Sequence, residues 1–201
     1  MDILYQGAEA ILYLDKYLGQ KAIVKKRIKK TYRHPELDER LRRQRTKREA
    51  KVILRLLDQG INVPMVYDVD LAQSTIVLEF IEGTKLDKYI DQNPDKAMEI
   101  GKKIGEILFK IHKANIVHND FTTSNMIIND QGIFVIDLGM SFDSHRIEDK
   151  AYDVLLFKRA INARHCKTFH RLWSGFEQGY EDKKVLKYSK VLEKRGRYVQ
   201  R

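Results

Sequence analysis

Between His34-Pro35 and Gly60 the chain carries one long stretch of helical spacing, with Leu37, Leu41, Val52, Ile53, Leu56 and Leu57 mainly on one face. Short apolar runs flank it, at 3–4, 10–14 and 22–24 before it and at 65–70 and 75–80 after it. Strand, strand, strand, helix, strand, strand has few packed solutions. The simplest is a five-stranded antiparallel sheet with the helix laid against it. From Gly83 the spacing turns helical, with Ala97, Ile100, Ile104, Ile107, Leu108 and Ile111 recurring at three and four residues. Two short runs, 126–128 and 133–136, enclose Asn129-Asp130-Gln131-Gly132 and read as a hairpin. Residues 148–194 read as helices with breaks near Gly175 and Gly179. The expected fold class is α+β with two lobes: a small sheet-and-helix lobe over 1–82, a mainly helical lobe over 83–194, and a basic tail over 195–201.

Composition narrows the setting. No apolar run approaches the ~18 residues a membrane-spanning helix needs, and the start lacks the pattern of a secretion signal. A lone cysteine, Cys166, cannot close an intramolecular disulfide. Both point to the cytoplasm, with no membrane partner. Lys and Arg number 38 against 28 Asp and Glu, and the whole excess of +10 lies between Lys21 and Arg48, with 13 basic and 3 acidic residues. Such a block attracts phosphates, whether of a nucleotide, an RNA backbone or an acidic partner. Lys26, Arg27, Lys29, Lys30, Arg33, Arg42 and Arg43 within it, with Arg195, Arg197 and Arg201 at the far end, are the candidate contacts for RNA or a partner protein.

The chemistry-bearing residues are spread along the chain. His118-Asn119-Asp120 is followed by Asn125, then by the hairpin and Asp137-Leu138-Gly139. Each motif alone is weak, but in this order and spacing they are similar to the phosphoryl-transfer apparatus of protein kinases. Moving a γ-phosphoryl group calls for hard oxygen ligands for Mg²⁺ and a carboxylate that orients the attacking hydroxyl. By that likeness Asn125 and Asp137 hold metal and Asp120 orients the nucleophile. Lys25, in Ala22-Ile23-Val24-Lys25, resembles the third-strand lysine that meets the α- and β-phosphates, with Glu49 on the long helix as its partner. Gln6, Gly7, Ala8, Glu9 and Ala10 stand at the phosphate loop. The same likeness implies that Leu78 backs an adenine pocket edged by the backbone of Glu79 and Ile81, and that His118 and Asp153 support the catalytic loop.

The segments 6–10, 32–38 (Tyr-Arg-His-Pro-Glu-Leu-Asp), 118–126 (His-Asn-Asp-Phe-Thr-Thr-Ser-Asn-Met) and 137–141 make the resemblance narrower. They are similar to the small PRPK-type atypical kinases of the KEOPS complex over essentially the whole chain. The RIO kinases are the nearest compact alternative, and their phosphate-loop pattern is absent. The resemblance implies a bilobal protein-kinase-like fold with a truncated helical lobe, ATP and Mg²⁺ as cofactors, and Ser/Thr kinase and ATPase activity supporting formation of threonylcarbamoyladenosine in tRNA. It implies as partners a threonylcarbamoyl-transferring subunit, a further small KEOPS subunit, and tRNA through the complex. The alternative is a catalytically silent adaptor that binds tRNA or the partner. Three departures carry content. A single glycine, Gly7, serves the phosphate loop; Asn119 replaces the usual Arg; and Thr122 stands where protein kinases carry a Lys that touches the γ-phosphate, which implies slow transfer to protein hydroxyls.

Overall fold

The structure, a computed structural model, describes residues 2–198. Strands β1 (Asp2–Gln6), β2 (Ala10–Tyr17) and β3 (Gln20–Arg27) are followed by the 24-residue helix α1 (Pro35–Asp58) and by β4 (Val66–Asp70) and β5 (Thr75–Glu79). The five strands form one antiparallel sheet in the order β1-β2-β3-β5-β4, the arrangement expected from the sequence. Helix α1 opens on Pro35, whose fixed φ suits a first helical position, and buries Ala50, Val52, Ile53 and Leu56 beneath the sheet.

The Tyr-Arg-His-Pro segment has a local purpose. Asp38 is fully buried, accepting hydrogen bonds from the Lys30 backbone N–H at 3.2 Å and from Arg42 Nε at 2.7 Å, with Arg33 at 3.6 Å. One carboxylate therefore ties the loop between β3 and α1 to the first turns of the helix. A buried charge of this kind needs such partners.

The remainder is mainly helical. After β6 (Thr84–Lys85) come α2 (Leu86–Gln92), α3 (Ala97–Lys113), β7 (Ile116–Val117), the hairpin β8 (Met126–Asn129) and β9 (Gly132–Val135), β10 (Phe142–Asp143), and helices α4 (Ile147–Arg164), α5 (Phe169–Gly179) and α6 (Lys183–Tyr198). The short strands pair as β6-β8-β9 and β10-β7, fixing both ends of the segment 118–125. Ile100, Ile104, Leu108 and Ile111 line the buried face of α3. Each such side chain contributes roughly 1.5–3 kcal/mol by leaving water.

Two sequence expectations need correction. Gly175 does not break a helix: it lies inside α5, which runs on to Gly179, and the breaks fall at 165–168 and at 180–182, the second directly after Gly179 as expected. With Gly101 and Gly105 these glycines let α3 and α5 meet backbone to backbone. A Cβ at Gly175 would lie 2.0 Å from the Met98 carbonyl, and one at Gly101 2.2 Å from that of Leu172. The paired spacing of four is the close-approach pattern of helix interfaces. The basic tail expected from Arg195 begins within α6, where Arg195 is exposed. Arg201 and the side chain of Arg197 lie outside the described residues.

Gly175→Ala is expected to destabilise the protein by about 2–4 kcal/mol, because backbone must shift. At Gly19 a Cβ would meet nothing, so Gly19→Ala carries only the strain of a positive φ, about 1–2 kcal/mol. Denaturant midpoints of the two variants check the order, and equal midpoints would contradict the close-packing account.

Candidate functional site

Lys25 and Arg27 lie two residues apart on β3, so both point to the same face, toward α1. There Glu49, 1% exposed, receives both: Lys25 Nζ donates to Oε1 at 2.7 Å and Arg27 Nη2 to Oε2 at 2.6 Å. Lys25 donates a second bond, 2.8 Å, to Asp137 Oδ1. Burial alone lowers the Lys25 ammonium, but Glu49 and Asp137 overcome it and hold the pKa above the ordinary lysine range. Burial likewise pushes Asp137 up, and the Lys25 charge and hydrogen bond prevail to hold its carboxyl below the usual carboxylate range. Residues 112 positions apart thus form one chain of charge.

The second half of the site is the segment from β7 to β8. Asn119 adopts φ +64° and Asp137 φ +61°, left-handed conformations that Asn and Asp tolerate better than most side chains and that cluster at functional sites. Asp153, fully buried on α4, accepts the backbone N–H of His118 at 2.7 Å and of Asn119 at 2.9 Å. His112 Nε2 lies 3.1 Å from the same carboxylate and its Nδ1 2.6 Å from the Tyr180 hydroxyl. A carboxylate can only accept, so His112 donates to it from Nε2, while Nδ1 and the Tyr180 hydroxyl share the other hydrogen bond. This relay runs from the turn between α5 and α6 to the loop carrying Asp120. Beyond it, Asn125 Nδ2 donates to the Asp120 carbonyl at 2.9 Å and to Asp120 Oδ2 at 2.8 Å, leaving the Asn125 side-chain oxygen for another partner.

Two adjoining hollows meet at Lys25 and Asp137. One, about 690 Å³, is walled by Leu4, Leu12, Ile23, Leu78, Ile81 and Ile127, with Glu79 at its edge. The other, about 700 Å³, runs beneath Gly7, Ala8, Glu9 and Ala10 to Asp120 and Gly139. Lys25, Leu78, Glu79, Ile81, Asp120, Asp137 and the loop 7–10 therefore share one cleft. Asn125 joins them through Asp120, and Glu49 stands behind Lys25. Gln6 ends β1 on the exposed edge and lines neither hollow. The Glu79 N–H is taken by the Met65 carbonyl at 2.8 Å, so it is not available to a ligand. Lys85, which sequence reasoning missed, faces this cleft and donates to the Ser124 carbonyl at 2.8 Å, with burial lowering its pKa. Nothing but its place after the glycine turn marked it.

The basic block divides. Arg27 is buried on Glu49, Arg33 and Arg42 are spent on Asp38, and Lys30 donates to the Ala8 carbonyl. Of the candidate RNA or partner contacts in this block, only Lys26, Lys29 and Arg43 are exposed. Arg27 is corrected outright: an arginine bonded to a buried carboxylate presents no charge to RNA. His165 closes α4, with Nε2 2.9 Å from Thr123 Oγ1 and Nδ1 3.3 Å from Asp91.

Among the described residues, no group of three or more His, Cys, Asp or Glu side chains could hold a metal by itself. Asn125 and Asp137 supply a small, hard oxygen set. That suits Mg²⁺, which keeps waters and shares its shell with substrate phosphates rather than sitting in a protein cage.

Comparisons with known proteins place this geometry. The RIO-domain family model matches residues 14–169, starting past the 6–10 loop whose pattern differs. KEOPS complex subunit Bud32 of Pyrococcus abyssi is 39% identical, covering 100% of this chain and 98% of that protein. A probable bifunctional tRNA threonylcarbamoyladenosine biosynthesis protein of Methanocaldococcus jannaschii is also 39% identical over 98% of this chain, which spans only 37% of that protein's length. Among solved structures, the Rio2 kinase–ADP/Mg²⁺–phosphoaspartate complex from Chaetomium thermophilum aligns with a TM-score of 0.67 at 14% identity, covering 97% of this chain and 70% of that one. The fold is kinase-like.

Burial, opposed by Asp153, Asp137 and Asp120, holds His118 below the ordinary histidine pKa, and burial opposed by Asp91 does the same at His165. The fold favours the neutral ring at both, whereas the unfolded chain protonates below about 6.5, so their stability is present above that pH and lost as it falls. Melting temperature is expected to drop as pH is lowered from about 7 to about 5, and His118→Asn should flatten that slope. A slope unchanged by the substitution would contradict the assignment.

Proposed function

The chain belongs to the RIO-domain family, among relatives of the KEOPS-subunit type, and from that premise we propose that it binds Mg²⁺–ATP and moves the γ-phosphoryl group. The acceptor is a side chain of its own, a Ser or Thr of another protein, or water, and the turnover supports threonylcarbamoyladenosine formation in tRNA. One observation carries the reading. Lys25, Asp120 and Asp137 line a single cleft, with Asn125 bonded to Asp120 and Glu49 directly behind Lys25.

In this reading the apolar hollow takes the adenine, Leu78 backing it and the Glu79 carbonyl and Ile81 backbone meeting its edge. Residues 1–82 and 83–194 are the lobes that close on the nucleotide. Lys25 holds the α- and β-phosphates, and Asp120, steadied by Asn125, orients the attacking hydroxyl. Asn125 and Asp137 would hold the metal, which when bound offsets charge building on the phosphate oxygens. Thr122 brings no cation to the γ-phosphate, so transfer is slow. The relatives' names support a place in a KEOPS assembly, and the compartment in this reading is the cytoplasm. There Lys26, Lys29, Arg43 and Arg195 face tRNA or a partner subunit.

Asp137→Asn keeps the size and the tolerance for φ +61° while removing a charged metal ligand. Mg²⁺-dependent ATP turnover is expected to fall on the order of a hundredfold or more, with the circular dichroism spectrum unchanged. Turnover equal to the parent would sink the proposal and favour the silent adaptor, whose mark is steeply salt-dependent RNA binding without nucleotide.

A further inference from the structure

Glu49 carries two cations on one buried carboxylate. With Asp137 the cluster holds two positive and two negative charges, in balance only while Lys25 bridges both carboxylates. The proposed reaction, on which this inference rests, asks Lys25 to turn toward phosphates and Asp137 toward metal. A Glu49 served by Lys25 alone would then keep a buried charge only partly matched, and such groups leave the interior or take a proton.

Arg27 removes that difficulty. Its guanidinium stays charged at every working pH, its side chain is 5% exposed, and it engages Glu49 through the oxygen that Lys25 does not use. The turn carrying Asp137 packs on the same pair: a Cβ at Gly139 would stand 3.0 Å from Arg27 Nη2 and 3.3 Å from Glu49 Oε2. Glycine there lets the turn rest directly on the guanidinium and carboxylate. We propose that Arg27 is a positioning residue that keeps Glu49, and with it helix α1, seated against β3 whatever Lys25 is doing. Helix α1 is thereby fixed in its engaged position, and Lys25 is free to answer to the nucleotide.

The test compares the parent protein with Lys25→Met, Arg27→Met and Arg27→Lys. Hydrogen exchange is followed at α1 amides 46–53 without nucleotide, and Mg²⁺–ATP turnover is measured alongside. Lys25→Met should leave α1 exchange within about threefold of the parent, Arg27→Met should speed it about tenfold or more, and Arg27→Lys should fall between. In turnover, Arg27→Met should lose about tenfold or more in kcat with KM for ATP within about threefold, and Arg27→Lys should recover part of it. Faster α1 exchange in Lys25→Met than in Arg27→Met would overturn the inference, as would a loss carried by KM. Should Arg27→Met fail to fold, Arg27→Lys decides: exchange raised in α1 but not in β4 and β5 supports the role, and a uniform rise overturns it. If the parent itself turns over no ATP, the proposed reaction fails, while the exchange comparison still decides what Arg27 does.

Discussion

Everything at the centre of this protein depends on one buried carboxylate, Glu49, and the two cations it gathers from β3. Lys25 then reaches across to Asp137, 88 positions beyond Glu49 in the sequence, so the sheet lobe and the helical lobe meet through charge as well as through packing. Buried ion pairs contribute little net stability when measured against an apolar core of the same volume. What they supply here is placement. Residues from a strand, a helix and a loop are held within hydrogen-bond distance of one another, and a one-residue slip of β3 would turn Lys25 and Arg27 to the other face.

A second buried carboxylate, Asp153, does for the lower half what Glu49 does for the upper. It takes the two backbone N–H groups at the head of the loop bearing Asp120, and through His112 it is joined to Tyr180 at the turn between α5 and α6. His165 and Thr123 brace the far end of the same loop. The loop is therefore fixed from α3, α4 and the α5–α6 turn, and the glycine-lined contact between α3 and α5 sets how closely those supports come together. This is the dense support that a precisely oriented carboxylate needs.

Much of this was legible in the sequence because local pattern and chemistry agreed. The period-two runs and the single long helix gave the sheet and α1, and the motif order picked out Lys25, Asp120 and Asp137, which line one cleft, with Asn125 bonded to Asp120 and Glu49 buried behind Lys25. The partnerships of the basic segment were missed. Charge counting treats every Lys and Arg alike, yet Arg42 is spent on Asp38 four residues before it on α1, a helical spacing that local pattern carries, while Arg27 is matched to Glu49 by three-dimensional placement that no local rule supplies. Gly175 misled for a related reason. Glycine ends a helix or admits a neighbour, and the matching spacing of four in Gly101–Gly105 and Gly175–Gly179 was the signal that distinguishes the two.

The central claim is that side chains scattered from position 25 to position 137 surround one metal-bound triphosphate. Titrating isotope-labelled protein with Mn²⁺–ATP and following the amide signals tests it most directly, since a paramagnetic ion broadens resonances according to distance. The account predicts selective broadening at Gly7, Lys25, Asp120, Asn125 and Asp137, reversed by excess Mg²⁺–ATP. Broadening centred elsewhere, or spread evenly over the exposed acidic side chains, would contradict it.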